Sequence, residues 1–288
     1  MWIQQIINGL TIGGVYALIS IGLTMIYGVL KIIHVAHAGV YVIGAYTGLY
    51  VYVATHNFLL ALIMAMIVSA FFGVLIQNYI YFPLLKYPPI VPLIASIGIF
   101  ISIEEGIRLL FGPYIKSFPG EIFPAKYHIG NANLSGTQLT VLVLSFVFII
   151  ILWYITEKTK FGVSLKAVSQ DMEMAEVMSI NSKSVTLITF AIGSALAGIA
   201  GLLVGIYFNS VYPAMGGMPA YKSLAIIVVG GMGNIWGTFY AAIAVGLIET
   251  ILIGTLSIPL PRDSLAFIFM IIILMIKPEG LSFLFNKR

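Results

Sequence analysis

Cysteine is absent from the 288 residues, and charged side chains make up only 8% of them. The first absence excludes a disulfide framework and thiolate chemistry. The second excludes an ordinary water-soluble globule, whose surface is carried by about a quarter charged residues. Hydrophobic residues instead reach 60%, with a mean hydropathy of +1.08. The polar surface that is missing must be replaced by contact with lipid. A net charge of +4 needs no nucleic acid to explain it, because basic residues gathered in cytoplasmic loops give the same sum.

Three further absences narrow the function. No Lys or Arg precedes Lys31, so the opening residues read as a membrane span and not as a secretory leader. No Gly-x-x-x-x-Gly-Lys-[Ser/Thr] phosphate loop occurs, so the chain is not itself a P-loop ATPase. The His-Glu-x-x-His zinc motif is missing too, and Ser194, in a helix-packing stretch, has no evident base. An intramembrane enzyme is therefore disfavoured, and no metal site is expected.

What is present is a series of apolar runs. About 20 such residues, rising about 1.5 Å each, cross a hydrocarbon core of about 30 Å. Eight runs approach this: Ile3–Gly28, Val35–Ala54, Phe58–Phe82, Ile90–Phe111, Thr137–Ile155, Val185–Phe208, Phe239–Thr255 and Ser264–Ile276. A ninth, Tyr221–Val229, is too short to cross alone and stops at the glycine-rich Gly230–Gly237, which reads as a broken or re-entrant segment. No soluble domain, linker or low-complexity run appears. The expected fold is all-α: one polytopic transmembrane domain over residues 1–288, with about eight spans and a broken segment.

Loop charge orients it. Thr156–Ser184 holds Lys158, Lys160, Lys166 and Lys183, whereas Gly112–Gly136 holds Lys116 and Lys126. The positive-inside rule predicts the first loop and the C-terminus, with Lys277, Lys287 and Arg288, in the cytoplasm and the N-terminus outside. Glycines stud the first span (Gly9, Gly13, Gly14, Gly22, Gly28) and the sixth (Gly193, Gly198, Gly201, Gly205). Small residues at such spacing let helix backbones approach, as expected of a multi-helix bundle.

Three stretches then resemble a known family. The first runs from Asn8-Gly-Leu-Thr-Ile-Gly-Gly-Val-Tyr16 through Gly22-Leu-Thr-Met-Ile-Tyr27 to Ala36-His37 and Gly44-Ala-Tyr46. The second is Gly162-Val-Ser-Leu-Lys166-Ala-Val-Ser-Gln170-Asp171-Met-Glu-Met-Ala175 on to Ile180-Asn181. The third holds Lys222, Val229-Gly230-Gly231-Met-Gly233-Asn-Ile-Trp-Gly237 and Gly246-Leu-Ile-Glu249. In this order they are similar to the LivH-type permeases of branched-chain amino-acid ABC importers. The resemblance implies the ABC importer permease fold, a plasma (inner) membrane location and transport of amino acids, branched-chain ones first. It implies four kinds of partner: two ABC ATPases, a second homologous permease of the LivM type or a second copy, an extracytoplasmic binding protein, and the lipid bilayer. No cofactor is expected on this chain, since the partners would hydrolyse ATP.

The resemblance also assigns residues. Lys166, Gln170, Asp171, Met172, Met174, Ala175, Met178, Ile180 and Asn181 would form the helical segment that couples to an ATPase. Read from residues alone, the segment is a short helix whose Asp171, Glu173 and Glu176 suit an N-terminal dipole. Its methionines offer an adaptable docking surface, although an ordinary solvated loop helix has the same pattern. For the substrate pathway the candidates are Tyr16, Lys222, Gly230, Gly231, Gly233, Asn234, Glu104, Glu105 and Glu249. Unwound backbone at Gly230–Gly237 exposes groups that can attract a zwitterion, or it is a simple tight turn.

Carboxylates inside spans are functional candidates by default. Glu104 and Glu105 depart from the family's usual Gln-Asn, and either can pair with Arg108 at i,i+4 or i,i+3. An ion pair snorkelling at the outer boundary is the simpler reading; a spare carboxylate attracting a cationic substrate is the sharper one. Lys222 can meet a substrate carboxylate or snorkel outward, and Glu249 can bond the glycine turn or a neighbouring helix. His34 and His37 read as a cap or contact at the start of the second span. Two alternatives stay open: a urea or amide permease of the same family, and a secondary transporter driven by an ion gradient.

Overall fold

In lipid only a helix satisfies the backbone of a lone apolar segment, and the chain obeys this. The computed structural model describes residues 2–120, 122–129, 132–256 and 262–276. Its helices are α1 (Trp2–Leu30), α2 (His37–Thr55), α3 (Phe58–Ile76), a π-helical turn (Gln77–Tyr81), α4 (Phe82–Leu84), α5 (Ile90–Phe111) and α6 (Gly136–Lys158). There follow α7 (Lys160–Gln170), α8 (Met172–Val177), α9 (Ser182–Tyr207), a 3-10 turn (Pro213–Gly216), α10 (Gly217–Gly230), α11 (Ile235–Leu256) and α12 (Arg262–Ile276). Short polar side chains open six of them, Asn234 of α11 among them. Asn57, Ser135, Thr159, Asp171 and Asn181 each accept from a backbone N–H three residues on, as N-caps do.

Seven helices among the described residues are long and apolar enough to span a bilayer. They match the first seven expected runs. The eighth run falls in α12, whose 15 residues are short of the roughly 20 needed. Lys277, Lys287 and Arg288 lie outside the described residues. One non-helical element was not foreseen: strands β1 (Lys126–Ile129) and β2 (Ala132–Ser135) form an antiparallel hairpin in the Gly112–Gly136 loop. It is tied to the start of α1, where Gln4 Oε1 accepts from Asn133 N at 2.8 Å. The hairpin and the beginning of α1 therefore share one face, called here the Trp2 face.

α1 is the central post, buried along most of its length. α11 runs antiparallel to it, with Gly9 against Leu247, Gly13 against Ile243 and Gly246 against Gly13. A Cβ added at Gly9 would lie 2.9 Å from the Leu247 Cα, so this seam needs its glycines. By contrast α5 and α6 expose most of their surface.

Two spans are interrupted midway, and this shapes everything else. His37, the first residue of α2, sets its Nε2 3.1 Å from the Ile19 carbonyl of α1. Ile19 lies 11 residues before the end of α1, roughly 16 Å along the axis at the α-helical rise. The stretch 31–36 therefore climbs back non-helically and α2 starts near half depth. Lys31 turns in a left-handed conformation (φ 55°). Ala36 N donates to Ser96 Oγ (2.9 Å), and His34 Nδ1 meets Tyr81 Oη at 2.6 Å from the π-helical turn. Buried backbone at this depth is acceptable because protein covers it.

The second interruption follows α9. Residues 208–216 descend without regular helix, apart from the 3-10 turn, and α10 starts beside α2. A Cβ on Gly216 would lie 2.7 Å from both the Ala38 carbonyl and Val42 Cγ2. α10 then ends at a turn built on Gly231 (φ 93°) and Gly233 (φ 88°), the latter packed on Gly28 near the far end of α1. α11 retraces α1 from there. The short Tyr221–Val229 run thus belongs to a broken span that continues to the opposite face, and not to a re-entrant loop.

Candidate transport site

The interruption of α10 leaves Lys222 in its second turn, inside the bundle. Lys222 is almost fully buried at 5% exposure, and Glu249 of α11 is buried to 1%. Lys222 Nζ lies 2.9 and 3.1 Å from the two carboxylate oxygens of Glu249 and donates to Tyr16 Oη of α1 at 2.8 Å. Tyr16 Oη in turn donates to Glu249 Oε2 at 3.3 Å. Three candidates far apart in sequence thus form one cluster. A lone buried charge is prohibitively costly, and the pairing explains how both ions persist here.

The cluster stands at the wall of a cavity of about 440 Å³. α1 lines it with Thr11, Ile12, Val15, Tyr16 and Ile19, and α2 with Tyr41. The end of α9 and the descending stretch add Val204, Tyr207, Tyr212 and Met215, while α10 adds Met218, Pro219 and Lys222. The walls are mainly apolar and aromatic, with few polar groups, which is the usual make-up of a small-molecule site. Sequence reasoning found Tyr16 and Lys222 but missed Tyr41, Tyr207, Tyr212 and Met215. The signal for the last two was there: Tyr212-Pro213 through Gly216-Gly217 to Pro219 is a helix-breaking stretch.

Other candidates stand apart from the cavity. Gly230, Gly231, Gly233 and Asn234 form the turn into α11, about 12 Å along α10 from Lys222 at the helical rise. Gly230 packs on the backbone of Gly237 and Thr238, and Asn234 caps α11 by accepting from Gly237 N at 3.0 Å. The geometry of this stretch is that of a tight turn. Glu104 and Glu105 sit on the outward side of α5, both bonded to Arg108, at 3.1 and 2.8 Å. Each carboxylate is thus paired with the same guanidinium. His34 and His37 are buried to 1% at the start of α2, where His34 meets Tyr81 and His37 the Ile19 carbonyl, so of the two expected roles they make the contact and not the cap. Among the described residues no three His, Asp or Glu side chains gather as a metal site.

The opposite, Leu30, face carries α7 and α8. Asp171 caps α8 at Met174 N (2.9 Å), one residue before the helix it was expected to begin. Met174, Val177 and Met178 are 63%, 77% and 75% exposed. Ala175 is buried, Met172 and Ile180 pack on the core, and Lys166 pairs with Glu157 at 2.7 Å. Gln170 is exposed, and Asn181 caps α9. The short helix therefore turns one side inward and offers a compact apolar patch outward.

A polytopic helical bundle with two broken spans, a buried ion cluster beside an amphipathic cavity and an unpartnered apolar patch on one face is the architecture of a membrane transport subunit. The family model for the permease component of branched-chain amino acid transport systems matches residues 5–276, and the chain belongs to that family. Among similar proteins, the permease protein LivH of the high-affinity branched-chain amino acid transport system of Salmonella typhimurium is 30% identical, over 97% of this chain and 95% of the relative. Its counterpart BraD of Pseudomonas aeruginosa is 29% identical with the same coverage. The probable LivH of Methanocaldococcus jannaschii is 26% identical over 97% of this chain and 92% of the relative. No solved structure matches. The chain is thus a permease subunit of an ABC importer and not an enzyme.

Proposed function

We propose that this permease carries branched-chain amino acids through the cavity between α1, α2, α9 and α10. The observation that carries the reading is the cavity itself. Its apolar wall suits an aliphatic side chain, and the Tyr16–Lys222–Glu249 cluster supplies fixed charge beside it. The names of its relatives point to the same substrates. The Trp2 face is outside and the Leu30 face cytoplasmic, because the lysine-rich α6–α9 connection lies on the latter.

Two ATPase subunits dock on the cytoplasmic face, where the exposed Met174, Val177 and Met178 offer them a contact surface. ATP is bound and hydrolysed there, not on this chain. A second permease, homologous or identical, completes the pathway, and an extracytoplasmic binding protein delivers solute to the Trp2 face. The test is affinity purification of the tagged chain in mild detergent. Two ATPase subunits and a second permease chain should come with it, and the ATPases should be lost when Met174, Val177 and Met178 are all changed to Ser. A chain that purifies alone overturns the partner assignment.

A further inference from the structure

The two interrupted spans bring two helix starts to one level inside the bundle. α2 begins at His37 and α10 at Gly217; neither has a side-chain cap, and their first N–H groups turn back on backbone carbonyls, His37 and Ala38 on His34 and Val35, Gly217 on Ala214, so what each start offers is its dipole. Gly216 holds them side by side against Ala38 and Val42. Each start carries roughly half a positive charge from its aligned peptides. The cavity borders both helices near these starts: Tyr41 in the second turn of α2 lines it, as do Met215, Met218 and Pro219 at the start of α10.

A second feature lies at the same place. Tyr41 is 1% exposed, and its hydroxyl is buried without a hydrogen-bond partner. A buried donor in that condition is costly, and groups of this kind need a reason. Phenylalanine would fill the same space without the cost. Tyr41 is the unsatisfied donor of the cavity wall.

We propose that the Tyr41 hydroxyl and the paired starts of α2 and α10 hold the carboxylate of the transported solute. This rests on the reading of the cavity as the pathway. The sign of the field selects the group: two positive helix ends and the Lys222 ammonium favour an anion. Glu249, which would favour a cation, lies beyond Lys222 and is already engaged by it. The aliphatic side chain then lies along Ile12, Val15, Ile19 and Val204. The solute class this site takes is a small carboxylic acid with an apolar side chain, so an amide or urea makes a poor match.

The test uses the complete transporter in proteoliposomes, with partner subunits and binding protein, and L-leucine as the probe. Tyr41→Phe should reduce ATP-driven uptake about tenfold, the scale of a hydrogen bond to a charged group. The same variant should melt at the same temperature as the parent or higher, because the resting protein loses no bond. Met218→Trp, at the half-exposed rim of the cavity, serves as a blocking control. Normal uptake by Tyr41→Phe with Met218→Trp blocked overturns the carboxylate site and leaves the pathway standing. Normal uptake by both overturns the pathway reading itself. Loss of uptake with a lower melting temperature in Tyr41→Phe makes the residue structural and also overturns the proposal.

Discussion

Replacing Lys222 by Met should damage the protein far more than replacing Lys222 and Glu249 together. The ammonium and carboxylate side chains are 6% and 2% exposed and meet at 2.9 Å. Charges about 4 Å apart attract by about 4 kcal/mol at an effective dielectric near 20. Taking both from water cancels a large part of that, so the intact pair contributes little net stability. Removing one partner is different. In Lys222→Met the Glu249 carboxylate stays buried without its ammonium, at a cost of about 3–5 kcal/mol. Glu249→Leu strands Lys222 with a similar cost. The double variant Lys222→Met/Glu249→Leu keeps the volume and removes both charges, so its stability should return to within about 1 kcal/mol of the parent. Denaturation of the detergent-solubilised protein, followed by the fluorescence of Trp2, Trp153 and Trp236, measures all four corners of the cycle. Single variants within about 1 kcal/mol of the parent, or a double variant as unstable as the sum of its singles, refute the claim that the pair is desolvated and mutually dependent.

Three more outcomes are expected. Gly237→Ala should lose most folded yield, because its Cβ would collide with the Gly230 carbonyl; overpacking of this kind costs about 1–3 kcal/mol or more, and size-exclusion profiles of expressed protein read it out. Glu105→Gln should change stability by less than about 1 kcal/mol, since its carboxylate is half exposed and its ion pair is screened. Neutral amino-acid uptake should also be unchanged, since the residue lies away from the cavity. Asp171→Ala should remove the cap of α8 and weaken ATPase docking while sparing the membrane core, a local loss of about 1 kcal/mol visible as faster hydrogen exchange at Met174.

The bundle was legible in the sequence because lipid imposes a length and a composition on every span. The first seven runs could be bounded from hydropathy alone, and glycine spacing marked α1 and α9 as closely packed helices, where Gly22 meets Gly193, but gave no sign of the α1–α11 seam. The broken spans were only half legible. Gly230–Gly237 announced a turn through its glycines, which drew attention to the C-terminal end of α10. The break that borders the cavity is at the other end, where Pro213, Gly216, Gly217 and Pro219 interrupt the helix beside α2. The break at 31–36 left a fainter mark, since its backbone is satisfied by Ser96 and its His34 by Tyr81, partners more than 40 residues away. Lys222 and Glu249 were suspect as charged residues in apolar runs and Tyr16 only through the family resemblance, yet their meeting depends on how three helices pack. Tyr41 carried no signal at all: a tyrosine in an apolar helix is ordinary until its hydroxyl is found without a partner.

On the proposed reading, ATP hydrolysed on partner subunits drives solute through this chain. The direct measurement is uptake of labelled L-leucine into proteoliposomes holding the tagged permease with its co-purified partners and binding protein, with and without ATP on the nucleotide side. Uptake that needs ATP, and that is lost when Met174, Val177 and Met178 become Ser, is the expected result. Uptake by the permease alone, without ATP and following an ion gradient, would contradict it.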